Sequence, residues 1–156
     1  MGASILVVED EVVVAQDIRR TLIGLGYKVS ATVATGEGAL REAEICPPDL
    51  VLMDINLKGP LDGVGTAARL QEKHGVPIVF LTAHADDVTL ARVKRTLPYG
   101  YIIKPFAGRE LRTSIEIALS RHGSESKMVA KANQLTELNA VLAARAQERK
   151  SSSDPP

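Results

Sequence analysis

Four short apolar runs in this chain each lead into a residue able to do chemistry. "SILVVE" runs into Glu9-Asp10-Glu11, "DLVLMDI" carries Asp54, "VPIVFLTA" ends on Thr82-Ala83, and "YGYIIKP" ends on Lys104-Pro105. Brought together, these acids, hydroxyl and ammonium would suit a divalent cation and a phosphoryl group. Mg²⁺ takes hard oxygen ligands, keeps several waters and adds phosphate oxygens from its substrate. A lysine is a compact point charge that holds phosphate without bidentate geometry. Thr82 offers a hydroxyl donor, and Asp54 a carboxylate nucleophile. Taken singly, each has a plainer reading: Asp10 as a helix cap, Thr82 as a strand residue, Lys104 as a solvated charge. Their joint placement at four strand ends argues for a site.

The elements that must position them alternate along the chain. Runs over "SILVVE", "KVSATVA", "DLVLMDI", "VPIVFLTA" and "YGYIIKP" are strand-sized and rich in Val and Ile. Between and after them, five stretches have helical spacing. The first has apolar residues at Val12, Val13, Ile18, Leu22 and Leu25 and is stopped by Gly24 and Gly26. The second ends before Pro47-Pro48 and the third at Gly75, while the fourth would be capped by Asp86 or Asp87. The fifth, "GRELRTSIEIALSRHG", puts Leu111, Ile115 and Leu119 on one face, and the composition shifts after Gly123. Strict alternation with apolar strands predicts a parallel sheet covered on both faces. The predicted class is α/β: a doubly wound five-stranded sheet of flavodoxin-like order 2-1-3-4-5, with a C-terminal helical tail. In such a sheet all the strand carboxyl ends share one edge, and ligands bind there.

Bulk composition narrows the function. Lys+Arg and Asp+Glu are both 19, and aromatics are 3% with no Trp, which argues against direct nucleic-acid binding. The apolar runs are too short to span a bilayer, and acids follow an N-terminal run that has no basic region before it, unlike a signal peptide. Cys46 is a lone cysteine, which suits a reducing cytoplasm and reads as a small apolar filler at a helix end.

The pieces "ILVVEDE", "PDLVLMDINL", Asp62-Gly63, "PIVFLTA" and "YIIKPF" together resemble the receiver domain of two-component response regulators, over roughly residues 3 to 122. The resemblance implies that Asp54 accepts phosphate from a sensor histidine kinase. It implies that Mg²⁺ is held by Asp10 directly, Glu9 through water, Asp54, and the Asn56 backbone carbonyl. Thr82 and Lys104 would contact the phosphoryl group, Lys104-Pro105 would be cis, and Tyr101 would swing inward when Thr82 moves. The chain would be no enzyme beyond its own Mg²⁺-dependent phosphorylation and dephosphorylation. One departure stands out: the loop after Asp54 reads "INLKGPLDG", with Lys58 where the family usually has Pro and one extra residue before Asp62. That loop resembles a subgroup often paired with PAS-type or photosensory kinases. His84, two after Thr82, could tune dephosphorylation or be a solvated loop histidine.

The expected domains are a receiver over 1–123, a helical tail over 124–150 and a disordered end over 151–156. In the tail, Met128, Leu135 and Leu142 lie seven apart and Leu138 adds a second position, interrupted by Lys131 and Arg145. This would be a dimerisation helix that extends the fifth helix and gives a homodimer, or a solvated, fraying helix. The function expected is a stand-alone receiver or phosphorelay component, passing signal by protein contact or phosphate to a histidine phosphotransfer protein, without DNA-binding output. The alternative is the N-terminal receiver fragment of a longer regulator. A haloacid dehalogenase-type hydrolase would need an acid at Asn56, and a flavodoxin would not place Glu9-Asp10-Glu11 against a flavin phosphate.

Overall fold

The computed structural model describes residues 2–83, 87–96 and 98–153, with only the backbone for Asp87, Thr89 and 149–153. His84 and Asp86 lie outside the described residues. The elements are β1 (Ser4–Val8), α1 (Val12–Gly24), β2 (Lys28–Val33), α2 (Gly36–Ile45), β3 (Leu50–Asp54), α3 (Gly63–His74), β4 (Ile78–Thr82), α4 (Asp87–Arg95), β5 (Gly100–Ile103) and α5 (Gly108–Ser153). The strands form one parallel sheet of order β2-β1-β3-β4-β5, as the alternation predicts. Among the described residues no helix is long and apolar enough to cross a membrane.

Side chains alternate across a strand, so β1, β2, β3 and β4 each feed two cores, while β5 gives Ile102 to one of them. On one face Ile5, Val7, Leu52 and Leu81 pack with Ile18 and Leu22 of α1 and with Leu111 and Ile115 of α5. On the other, Leu6, Met53 and Phe80 pack with α2, α3 and α4 through Ala43, Leu70 and Val93. β3 and β4 are buried along their whole length, which is why their sequences read as continuous apolar runs. Burying one such Leu or Phe side chain contributes about 1.5–3 kcal/mol.

Three local expectations need correction. Val12 and Val13 are 67% and 82% exposed; α1 turns Ala15, Ile18 and Leu22 inward, a stripe that leaves its first turn facing out. Cys46 is exposed, not a core filler: it is the C-terminal residue capping α2, its N–H donating to the Glu42 carbonyl at 2.9 Å. α5 continues through Gly123, so the tail extends the fifth helix, and it includes Ser151–Ser153, which were expected in a disordered end. A single Gly costs a helix only about 1 kcal/mol against Ala, and the strong helix formers on both sides outweigh it. The chain divides into two compact units, one up to Arg121 and one from His122.

Asp62 starts α3 by accepting from the Gly65 N–H at 2.8 Å, a side-chain cap on an otherwise unpaired donor. Next to it, the Gly63 N–H donates to the Ile55 carbonyl at 3.2 Å. A Cβ on Gly63 would overlap the Asp54 carbonyl. The backbone leaving the Asp54 strand end and the start of α3 are thus in direct contact, and only Gly fits. We expect Gly63→Ala to cost at least about 2 kcal/mol in urea unfolding. Gly24→Ala, with open space around its Cβ, should be neutral or slightly stabilising; equal effects of the two changes would contradict the packing described.

Candidate functional site

The register brings the sequence-distant residues together. Val8 pairs with Met53, so Glu9 and Asp10 leave β1 beside Asp54. Asp54 pairs with Leu81 and Thr82 with Ile103, which sets Thr82 and Lys104 on the other side of Asp54. Backbone bonds hold the ends in place: the Glu9 N–H donates to the Val33 carbonyl at 2.9 Å and the Lys104 N–H to the Thr82 carbonyl at 2.7 Å. The Lys104-Pro105 peptide is cis.

Glu9, Asp10 and Asp54 present carboxylate oxygens that all lie within 4.8 Å of one another. The Glu9 side chain is fully buried, and Lys104 Nζ donates to both of its oxygens at 3.0 Å. The same Nζ lies 3.6 Å from Asp54 Oδ2. Asp54 is buried, and its Oδ1 accepts from the Asn56 N–H at 3.0 Å. Asp10 is half-buried, and its Oδ2 accepts from the Lys58 N–H at 3.3 Å. Thr82 is buried, whereas Asn56 and Tyr101 are exposed, Tyr101 on the edge strand β5.

Charge balance is the chemical content of this arrangement. At an effective dielectric near 20, two carboxylates about 5 Å apart repel by roughly 3 kcal/mol. Burial first, and then the neighbouring Asp54, push the Glu9 carboxyl from its ordinary 4.5 up to about 7, with Lys104 pulling the other way. Three acids against one ammonium leave excess negative charge on hard oxygens, the donor set a small divalent cation fits.

Two contacts escaped sequence reasoning. Lys104 leans on Glu9 with both hydrogen bonds rather than on Asp54, and no residue pattern announces that preference. The Lys58 N–H on Asp10 was legible in principle: a Pro at that position would have no N–H to give.

A raised folded pKa means the folded state binds the proton more tightly than the unfolded chain. Glu9 therefore contributes stability that is full below about 4.5 and is lost as pH rises through about 7. In metal-free protein this loss has a ceiling of about 3 kcal/mol. Urea unfolding in chelator should show stability falling across that window in wild type, relative to Glu9→Gln. Parallel pH profiles for the two proteins would contradict the assignment.

The family model for the response regulator receiver domain matches residues 5–116. The transcriptional regulatory protein PdtaR of Mycobacterium tuberculosis is 33% identical over 117 residues, covering 75% of this chain and 57% of that protein. The DNA-binding response regulator MtrA of the same species is 35% identical over 125 residues, covering 80% of this chain and 54% of that protein. The chain thus spans about half the length of the curated relatives it matches. A solved signal receiver domain of a modulated diguanylate cyclase from Desulfovibrio desulfuricans superposes with a TM-score of 0.77 at 42% identity, covering 80% of this chain and 99% of that one. The family match spans most of the sequence and all the strand ends described above, and the chain belongs to the response regulator receiver domain family.

Proposed function

We propose that this chain is a phosphoacceptor switch in which Asp54 takes a phosphoryl group from a histidine kinase or a histidine phosphotransfer protein. The observation that carries this reading is the convergence of Glu9, Asp10, Asp54 and Lys104 at one sheet edge, with carboxylate oxygens within 4.8 Å. In the step, an Asp54 carboxylate oxygen forms a bond to phosphorus while the N–P bond of the donor phosphohistidine breaks. The imidazole leaves and takes a proton from solvent.

Mg²⁺ would supply Lewis-acid neutralisation of charge on the transferring group. Asp10, Asp54 and the Asn56 carbonyl would hold it. Glu9, whose two oxygens are engaged by Lys104, would act through water. Lys104 would then shift from Glu9 toward the new phosphoryl oxygens, only a short reorientation from its place 3.6 Å from Asp54. Thr82 would donate its hydroxyl to the same group. Phosphate adds charge and strong acceptors, and drawing Thr82 inward would favour an inward Tyr101, which stands 53% exposed. That is a local charge event biasing a two-state element. The chain's chemistry would be confined to its own phosphorylation and dephosphorylation.

The donor's docking place is also suggested by exposure. Val13, Val14 and Ile18 of α1 and Pro105-Phe106 line a groove of about 470 Å³ that Lys104 also borders. The exposed Val13, in a groove that reaches Lys104, suits the apolar face of a helix carrying a phosphohistidine. A PAS-type or photosensory sensor kinase fits the loop resemblance. A cytoplasmic setting and an output through protein contacts, without DNA binding by this chain, complete the reading. PdtaR and MtrA are regulators of transcription by name, and this favours a second reading, a receiver that works with an output domain beyond the segment matched here.

Incubation with acetyl phosphate and Mg²⁺ should add one phosphoryl group by intact mass to wild type, and none to Asp54→Asn or in chelator. Phosphorylation of Asp54→Asn to the wild-type extent would overturn the assignment. Val13→Glu should slow transfer from a phosphorylated histidine donor by about tenfold while leaving the acetyl phosphate reaction unchanged. An equal loss with both donors would mean that Val13 supports the fold instead of docking.

A further inference from the structure

The second compact unit, from His122, is a single helical stretch whose apolar side chains face solvent. Met128, Leu135, Leu138, Val141 and Leu142 are 49–68% exposed. With Met128, Leu135 and Leu142 at heptad position a, Leu138 is at d, and Val141 at g widens the stripe. The same d register holds Lys131 and Arg145.

Those two cations decide how such a stripe can be covered. In a parallel pair each d layer meets its own copy, so Lys131 would face Lys131 and Arg145 would face Arg145 across the seam. Desolvating two layers of like charge would oppose association. In an antiparallel pair a meets d of the other chain. If Leu135 packs on Leu138, the repeat sets Met128 against Arg145 and Leu142 against Lys131. Each cation then lays its methylene stem along an apolar side chain and keeps its head in water. The same alignment places Lys127 beside Glu148 at flanking g positions, twice by symmetry, with no like-charged pair at the remaining g and e positions between 125 and 148.

We propose that residues 122–153 form an antiparallel two-helix pair with a second copy of this chain, centred between Leu135 and Leu138. The pairing does not depend on phosphate or on the reading of Asp54.

Sedimentation equilibrium of the full chain should show a monomer–dimer equilibrium, alike in wild type and Asp54→Asn. Leu135→Glu with Leu138→Glu should abolish it while thermal unfolding of the receiver stays unchanged. Lys127→Glu should weaken dimerisation by about tenfold, and adding Glu148→Lys should restore it. Orientation is read by spin labels on Ser124→Cys in a Cys46→Ser background. An antiparallel pair separates the labels by about 37 Å, whereas a parallel pair brings them within about 15 Å. A monomer at every concentration, a trimer, a short label distance, or failure of the charge swap to rescue would each overturn the proposal.

Discussion

The molecule is organised around the contact between Lys104 and Glu9. A fully buried carboxylate is costly unless paired, and the ammonium that pairs with it comes from 95 residues away, at 3.0 Å to both oxygens. That contact ties the end of β5 to the end of β1, across β3 and β4. It also leaves Asp10 and Asp54 facing one another with less compensation than Glu9 has. The site is therefore built with an excess of negative charge, held by a rigid sheet that cannot relax to relieve it.

The rest of the fold can be read as what keeps those strand ends aligned. Two apolar cores clamp the sheet from both sides, with β3 and β4 buried throughout. The connection after Asp54 is held to the site by three backbone donors: Asn56 on Asp54, Lys58 on Asp10 and Gly63 on the Ile55 carbonyl. The far end of that connection is anchored by Asp62, which caps α3 and pairs with Arg92 of α4 at 2.7 Å. Burial alone would raise the Asp62 carboxyl, but the Gly65 N–H and Arg92 outweigh it and hold it below its usual value. Short polar links thus join the Asp54 strand end to α3 and α4, alongside the apolar packing of Met53 with Leu70 and Val93.

The layout of the fold was legible because the signals were long and repeated. Five apolar runs alternating with helical spacing admit few arrangements, and parallel pairing follows from the helical crossover between each strand and the next. The set of residues at the strand ends was legible for the same reason: a parallel sheet gathers them at one edge whatever their identity. What the sequence did not reveal was partner choice among those residues. Lys104 could have leaned on any of three acids, and small differences in side-chain reach decide that. Val12 and Val13 entered the helical spacing by apolar type alone, while the helix phase set by Ala15, Ile18 and Leu22 turns them outward.

On the proposed function, this charged edge receives a phosphoryl group on one oxygen of Asp54. The most direct measurement is borohydride reduction of the phosphorylated protein followed by peptide mapping, since an aspartyl phosphate is reduced to homoserine at the modified position. Homoserine is expected at position 54 alone, formed only when both a phosphodonor and Mg²⁺ were present. Reduction at another acid, or unmodified peptide after treatment with a competent phosphohistidine donor, would contradict it.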